Sequence, residues 1–300
     1  MRAILVPLDG TAQSQRVLPC AEALARGTDG WLLLMEAAEG YAFYEEDARL
    51  ARRTALAAAE QYLAELERSE RGRGVAAARV LLEGPPVPAI LAAAESSDAD
   101  LIVMATHARS GLDRLVAGSV AEEVLRRSSV PLLLVPPGAG EPPPSEGTLR
   151  VLVPLDGSRL AEAALEAAAA LAPPSRLELL LLRVAEPPDR VQSRRQPASQ
   201  TIAAHMHAAD RLRPLRAAGA VVTAEVRSGR DPAETIAAVA RERSCHLIAM
   251  ATHGRSGLAR LLLGSVAAAT LARASVPVLL VRPSDLAAPT PLPVTADATA

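Results

Sequence analysis

Residues 249–281 read AMATHGRSGLARLLLGSVAAATLARASVPVLLV, and residues 103–135 read VMATHARSGLDRLVAGSVAEEVLRRSSVPLLLV. Aligned without gaps, 22 of these 33 positions are identical. A match of this length at one offset marks an internal duplication, which sets the architecture before any local assignment. ILVPLDG at 4–10 and VLVPLDG at 151–157 carry the repeat back to the start of each copy. The offset is 147 between Asp9 and Asp156, and 146 between Gly118 and Gly264. A length of 300 residues suits two domains, expected at 1–137 and 149–283. The Pro- and Gly-rich stretch over 138–148 suits a stiff linker. The tail at 284–300 lacks periodicity and is expected to be disordered.

Each copy alternates strand and helix signals. Ile4–Leu8 is a continuous apolar run, as a parallel strand buried on both faces requires. Gln15–Arg26 carries Val17, Leu18, Ala21 and Leu24 at helical spacing. Strands follow at Trp31–Ala37, Ala76–Glu83, Leu101–Thr106 and Pro131–Val135, with helices at Glu46–Arg68, Val87–Ser96 and Ser119–Arg127. The second copy repeats this with strands at Val151–Leu155, Leu177–Ala185, Val221–Arg227, Leu247–Thr252 and Pro277–Val281. Its helices are expected at Ala161–Leu171, Thr201–Ala217, Pro232–Arg243 and Ser265–Arg273. The alternation predicts an α/β fold of two tandem, doubly wound, five-stranded parallel sheets, Rossmann-like in kind.

Composition removes several functions. All 32 Lys+Arg positions are arginine, and asparagine is absent as well. A phosphate loop ending in Gly-Lys-Ser/Thr, a catalytic lysine and a protein-kinase signature are therefore excluded. Cys20 and Cys245 belong to no paired spacing, so no disulfide framework or four-thiolate zinc site follows, and buried inert thiols are expected. A net charge of −2 offers no global attraction to nucleic acid or an acidic membrane. No stretch reaches the roughly 20 apolar residues of a membrane helix. These features predict a cytoplasmic protein without a membrane or nucleic-acid partner.

Open parallel sheets bind ligands beyond the carboxyl ends of their strands, where the strand order reverses. Asp9 and Asp156 leave such strand ends. Each can accept hydrogen bonds from a ribose hydroxyl or an adenine amine, or can cap the next helix, and the residues leave both open. The loop after the fourth strand is built of small residues, including Ala251, Gly254 and Gly264, which let backbone amides approach a ligand closely. Gly264-Ser265 then opens a helix whose free N–H groups favour phosphate. Ser265 can cap that helix and still offer its hydroxyl.

At these residues the chain resembles a tandem universal stress protein, two UspA-type domains head to tail. The ATP-binding branch of that family, within the adenine nucleotide alpha hydrolase-like folds, carries Gly-x2-Gly-x9-Gly-Ser/Thr after strand four and an Asp after strand one. The second copy matches as Ala251-x2-Gly254-x9-Gly264-Ser265 with Asp156. The first matches as Ala105-x2-Ala108-x9-Gly118-Ser119 with Asp9. The resemblance implies a stress-response sensor or regulator that binds adenine nucleotide, ATP with or without Mg, and acts through partner contacts. It places Pro154, Asp156, Val184 and Met250 about the nucleoside, and His253, Gly254, Gly264, Ser265 and Val266 about the phosphates, with Ala251 also a binding residue. The first-copy counterparts are Pro7, Asp9, Ala37, Met104, Ala105, His107, Gly118, Ser119 and Val120. In the family the fifth strands pair two domains. Here that implies an intrachain pseudo-dimer, with a further homodimer open.

The copies depart from the pattern unequally. Alanine replaces the first motif glycine in both, a change the backbone tolerates unless positive φ is needed. Ala108 also replaces the second glycine in the first copy. Asp113, Glu122 and Glu123 stand where the second copy has Ala259, Ala268 and Ala269. Over the aligned segments the net charge is +1 in the first copy and +3 in the second. Ser119-Val120-Ala121-Glu122 also spells a capping box, which would occupy the helix amides with protein groups. Nucleotide is thus expected to bind the second copy more tightly.

Other residues have milder readings. His107 and His253 lack a partner carboxylate or serine at a telling spacing, so loop ordering or phosphate contact outweighs general-base chemistry. His205 and His207 would point to opposite helix faces, against a metal site. Arg109, Arg114, Arg255 and Arg260 either steer an anion or are solvated. Tyr41, Phe43 and Tyr44 suit local packing. Slow ATP hydrolysis stays open, but no base, magnesium-binding carboxylate pair or arginine finger can be assigned. Two alternatives remain: a dimeric interaction scaffold that binds no nucleotide, and an adenylating enzyme. The latter needs a longer loop after strand one than Asp9-Gly10-Thr11 or Asp156-Gly157-Ser158 provides.

Overall fold

Strands with apolar residues on both faces need a helical layer on each side, and the chain supplies two. The computed structural model describes residues 2–38, 46–106, 118–185, 212–252 and 263–282. The first half runs β1 (Ala3–Leu8), α1 (Ala12–Gln15), α2 (Leu18–Gly27), β2 (Trp31–Ala38), α3 (Glu46–Gly72) and β3 (Ala76–Glu83). It continues with α4 (Pro86–Ser96), β4 (Leu101–Ala105), α5 (Ser119–Arg127) and β5 (Leu132–Val135). The second half runs β6 (Leu149–Pro154), α6 (Arg159–Ala169), a 3-10 turn at Pro174–Arg176, β7 (Leu177–Ala185), α7 (Arg213–Ala217) and β8 (Val221–Ser228). It ends with α8 (Pro232–Glu242), β9 (Leu247–Ala251), α9 (Ser265–Arg273) and β10 (Val278–Val281).

All ten strands join one sheet in the order β3-β2-β1-β4-β5-β10-β9-β6-β7-β8. Neighbours within each half are parallel. The halves meet where β5 and β10 pair antiparallel, Leu134 opposite Val278, Leu133 opposite Leu279 and Leu132 opposite Leu280. The fifth strands are therefore central. Pro131 and Pro277 stand just ahead of them, and their carbonyls accept from Ile102 and Ile248 N–H at 3.0 Å. Side-chain alternation sends Ile4, Leu32, Val103 and Leu133 to one face, against Leu24 of α2 and Leu63 of α3. Leu5, Leu33, Ile102 and Leu132 go to the other, against Ile90 of α4 and Val124 of α5. Both cores run unbroken through the seam into the second half.

One local expectation changes. The helix expected over Gln15–Arg26 is split into α1 and α2. Pro19 has no N–H to donate to the carbonyl of Gln15, and its ring clashes there, so the chain restarts its helix at Leu18. The stretch over 138–148 has no helix or strand, yet it is tethered. Arg176 donates to Gly147 O at 2.9 Å and Ser145 O at 2.6 Å, and Gly140 N–H donates to Ser275 O at 2.9 Å. The helix expected over Thr201–Ala217 is described only from Leu212 onward, and Tyr41, Phe43, Tyr44, His205, His207 and the 284–300 tail lie outside the described residues. No described helix is long and apolar enough to cross a membrane.

Candidate functional site

The strand order reverses at β1, which lies between β2 and β4, and at β6, which lies between β7 and β9. Helices leave opposite faces of the sheet at such a point and open a crevice. In the second half the crevice is a cleft of about 350 Å³, within the span of about 300–1,000 Å³ usual for small-molecule sites. Pro154, Asp156, Val184, Met250, Ala251, Gly264, Ser265 and Val266 all line it. His253 and Gly254 lie outside the described residues.

Each wall has a local cause. At the end of β6, Asp156 Oδ1 accepts from Ser158 N–H at 2.9 Å, and Ser158 Oγ accepts from Ala161 N–H at 3.2 Å to cap α6. Ser158 is thus the cap, and Asp156 shapes the turn ahead of it. Asp9 acts likewise, accepting from Thr11 N–H at 3.0 Å and Thr11 Oγ1 at 2.6 Å, while Thr11 caps α1. Met250 and Ala251 are the buried last residues of β9. Ala105 and Ala251 are not among the positive-φ residues. Alanine therefore fits the first motif position in both halves without strain.

The helix after the loop corrects two expectations. Gly264 and Gly118 are the N-caps of α9 and α5, and Ser265 and Ser119 are the first helical residues. Neither serine caps, because a side chain at that position has already passed the amides it would accept from. The capping box read at Ser119–Glu122 does not form, since no side-chain cap is made there. In α9 the first intrahelical bond is Ala268 N–H to Gly264 O at 2.9 Å. The Ser265, Val266 and Ala267 amides thus point off the helix end beside the cleft, with no acidic residue in the first turn. Gly264 N–H donates to Thr252 O at 2.7 Å and pins the loop's exit to the end of β9.

The first half places its counterparts on the equivalent elements. Pro7 is the penultimate residue of β1, Asp9 follows that strand, Ala37 lies in β2, and Met104 and Ala105 end β4. Gly118, Ser119 and Val120 begin α5. His107, with Ala108, Arg109, Asp113 and Arg114, lies outside the described residues, as do Arg255, Ala259 and Arg260 in the second half. Thr106 O here accepts from Gln13 Nε2 at 2.9 Å. Glu122 occupies the first turn of α5, where burial pushes its carboxyl up from the usual range. Glu36 of β2 is pushed up too, by burial and then by the Asp9 charge.

Leu155, Ala161, Leu182, Arg183, Pro232, Ile236, Thr252 and Ala267 also line the second-half cleft, and sequence reasoning did not place them there. Arg183 had a visible signal, as a charge interrupting the apolar strand at 177–185.

The Universal stress protein family model matches residues 1–136 and again 148–282. A universal stress protein of Thermus aquaticus is 34% identical over 148 residues, covering 45% of this chain and 98% of that protein. One from Mycobacterium bovis is 29% identical over 212 residues, 68% of each chain. Among solved structures, a universal stress protein from Archaeoglobus fulgidus superposes with a TM-score of 0.71 at 24% identity, over 94% of this chain and 98% of that one. That likeness bears on the fold, and the two family matches account for the duplicated sequence. The chain belongs to the universal stress protein family, as a tandem of two of its domains.

Proposed function

We propose that this protein binds adenine nucleotide, ATP in the first instance, in the cleft of its second half, and that occupancy alters its contacts with partners during stress. The observation that carries the reading is the cleft itself. It joins an apolar wall (Pro154, Val184, Met250) to an acid, Asp156, and to a helix N-terminus without a side-chain cap among the described residues. An apolar wall suits a base, a carboxylate suits ribose hydroxyls, and outward N–H groups at a positive helix end suit phosphate. The residues present fit the nucleotide, with Ser265, Val266 and Ala267 holding its phosphates and Asp156 its sugar. We read residues 1–137 and 149–283 as the two domains, the first of them binding nucleotide weakly or not at all.

Calorimetric titration of ATP, AMP and cyclic AMP with magnesium, into the wild type and Gly264→Arg, tests this. Saturable binding that disappears in the folded variant is expected. Binding untouched by the substitution, or none to the folded wild type, would overturn it. The latter result would favour the scaffold reading.

A further inference from the structure

We propose that the charge at one matched position of the second strand in each half, Arg183 in β7 and Glu36 in β2, decides which half takes an anionic nucleotide. This rests on the nucleotide reading above and adds a residue that selects between the two sites.

The positions are equivalent by register. Pro7 lies opposite Met35 and Leu8 opposite Glu36 in the β1–β2 pair. Pro154 lies opposite Leu182 in the β6–β7 pair, which puts Arg183 where Glu36 stands in the first half. Arg183 lines the second-half cleft, and its NH1 donates to Leu155 O at 3.3 Å, one residue before Asp156. The guanidinium is thus held at the strand end, on the residue next in sequence to Asp156, and Arg183 and Asp156 are of opposite formal charge. In the first half Glu36 adds to Asp9 instead. The carboxyl Oε2 of Glu36 is buried without a hydrogen-bond partner among the described residues, and Asp9 and Tyr62 are the titratable groups that face it. The matched pairs of residues therefore carry a formal charge of zero in the second half (Asp156 and Arg183) and −2 in the first (Asp9 and Glu36). Glu122 extends the contrast, since α5 has an acid in its first turn and α9 has none. Like charges in a half-buried crevice are poorly screened, so a polyphosphate entering the first half meets repulsion the second half lacks.

The test is calorimetric stoichiometry on the full chain with ATP, folding of each variant being checked by thermal melting. The wild type is expected to take one ATP per chain. Glu36→Arg is expected to take two, with Glu36→Gln as the substitute if the arginine variant does not fold. Arg183→Glu is expected to bind ATP at least tenfold more weakly, with Arg183→Gln as its substitute. One site persisting in a folded Glu36 variant, or undiminished affinity in a folded Arg183 variant, would overturn the charge assignment while leaving nucleotide binding in place. Failure of the folded wild type to bind ATP would overturn the nucleotide reading and this inference with it.

Discussion

Leu133 and Leu279, counterparts in the duplicated sequence, are also each other's partners across the antiparallel β5–β10 seam. Leu132 pairs with Leu280, the counterpart of Leu134, and Leu134 with Val278, the counterpart of Leu132. A pseudo-twofold axis therefore passes between Leu133 and Leu279. Two copies of one strand lie self-complementary about it, as they would in an isologous interface. Both leucines are fully buried. Leu133→Ala should cost about 2–5 kcal/mol in urea unfolding, by lost transfer energy and the cavity left behind. Adding Leu279→Ala should cost less than a second independent deletion, since the two share one cavity. Strictly additive losses would show that the side chains do not share a site.

Gly118 stands at φ +89° ahead of α5, whereas Gly264 stands at φ −59° ahead of α9. Only the first conformation penalises a side chain. Gly118→Ala is expected to lose about 1–3 kcal/mol. Gly264→Ala should stay within about 0.5 kcal/mol on backbone grounds. Thermal melting of the two variants distinguishes them.

Glu70, at the end of α3, is fully buried beside Glu22 of α2, and Arg73 NH1 donates to both carboxyls at 2.9 Å. Burial, then the hydrogen bond and charge of Glu22, push Glu70 up to about 7, against the opposing charges of Arg73 and Arg26. The folded state then holds a proton that the unfolded state releases at about 4.5. Stability should accordingly fall as pH rises from about 4.5 towards 7, with the loss complete above that. Glu70→Gln keeps a donor to Glu22 and an acceptor for Arg73. It should flatten this slope and gain on the order of 1 kcal/mol at pH 8. An unchanged pH profile of chemical unfolding would contradict the assignment.

Cys20 and Cys245 are both buried free thiols. Burial pushes Cys20 up to about 12 and Cys245 up to about 11. Because the thiolate is the reactive form, neither should be labelled by iodoacetamide at pH 8 in the native protein. Both should be labelled promptly in denaturant, which mass spectrometry would read directly.

Much of this architecture was legible in the residues, and the reason is local. Strands buried on both faces must be apolar throughout, so Ile4–Leu8 and Leu247–Thr252 lie within one residue of β1 and β9. Small residues before an amphipathic run marked Ser119–Arg127 and Ser265–Arg273 at the observed bounds. Register between distant strands was not legible. The pairing of Glu36 with Leu8, which aligns it with Arg183, exists only once β1 and β2 lie side by side. The serine caps were misread for a related reason. Ser265 and Ser119 follow a glycine that itself adopts the capping position, and residue type alone does not reveal which of two adjacent residues ends outside the helix.

Hydrogen–deuterium exchange on the full chain, with and without saturating ATP, tests the central claim most directly. Nucleotide in the second-half cleft should slow exchange at Ser265–Ala267 and at the ends of β6 and β7, and leave Ser119–Ala121 unchanged. Equal protection at both helix ends, or protection confined to the first half, would contradict the account.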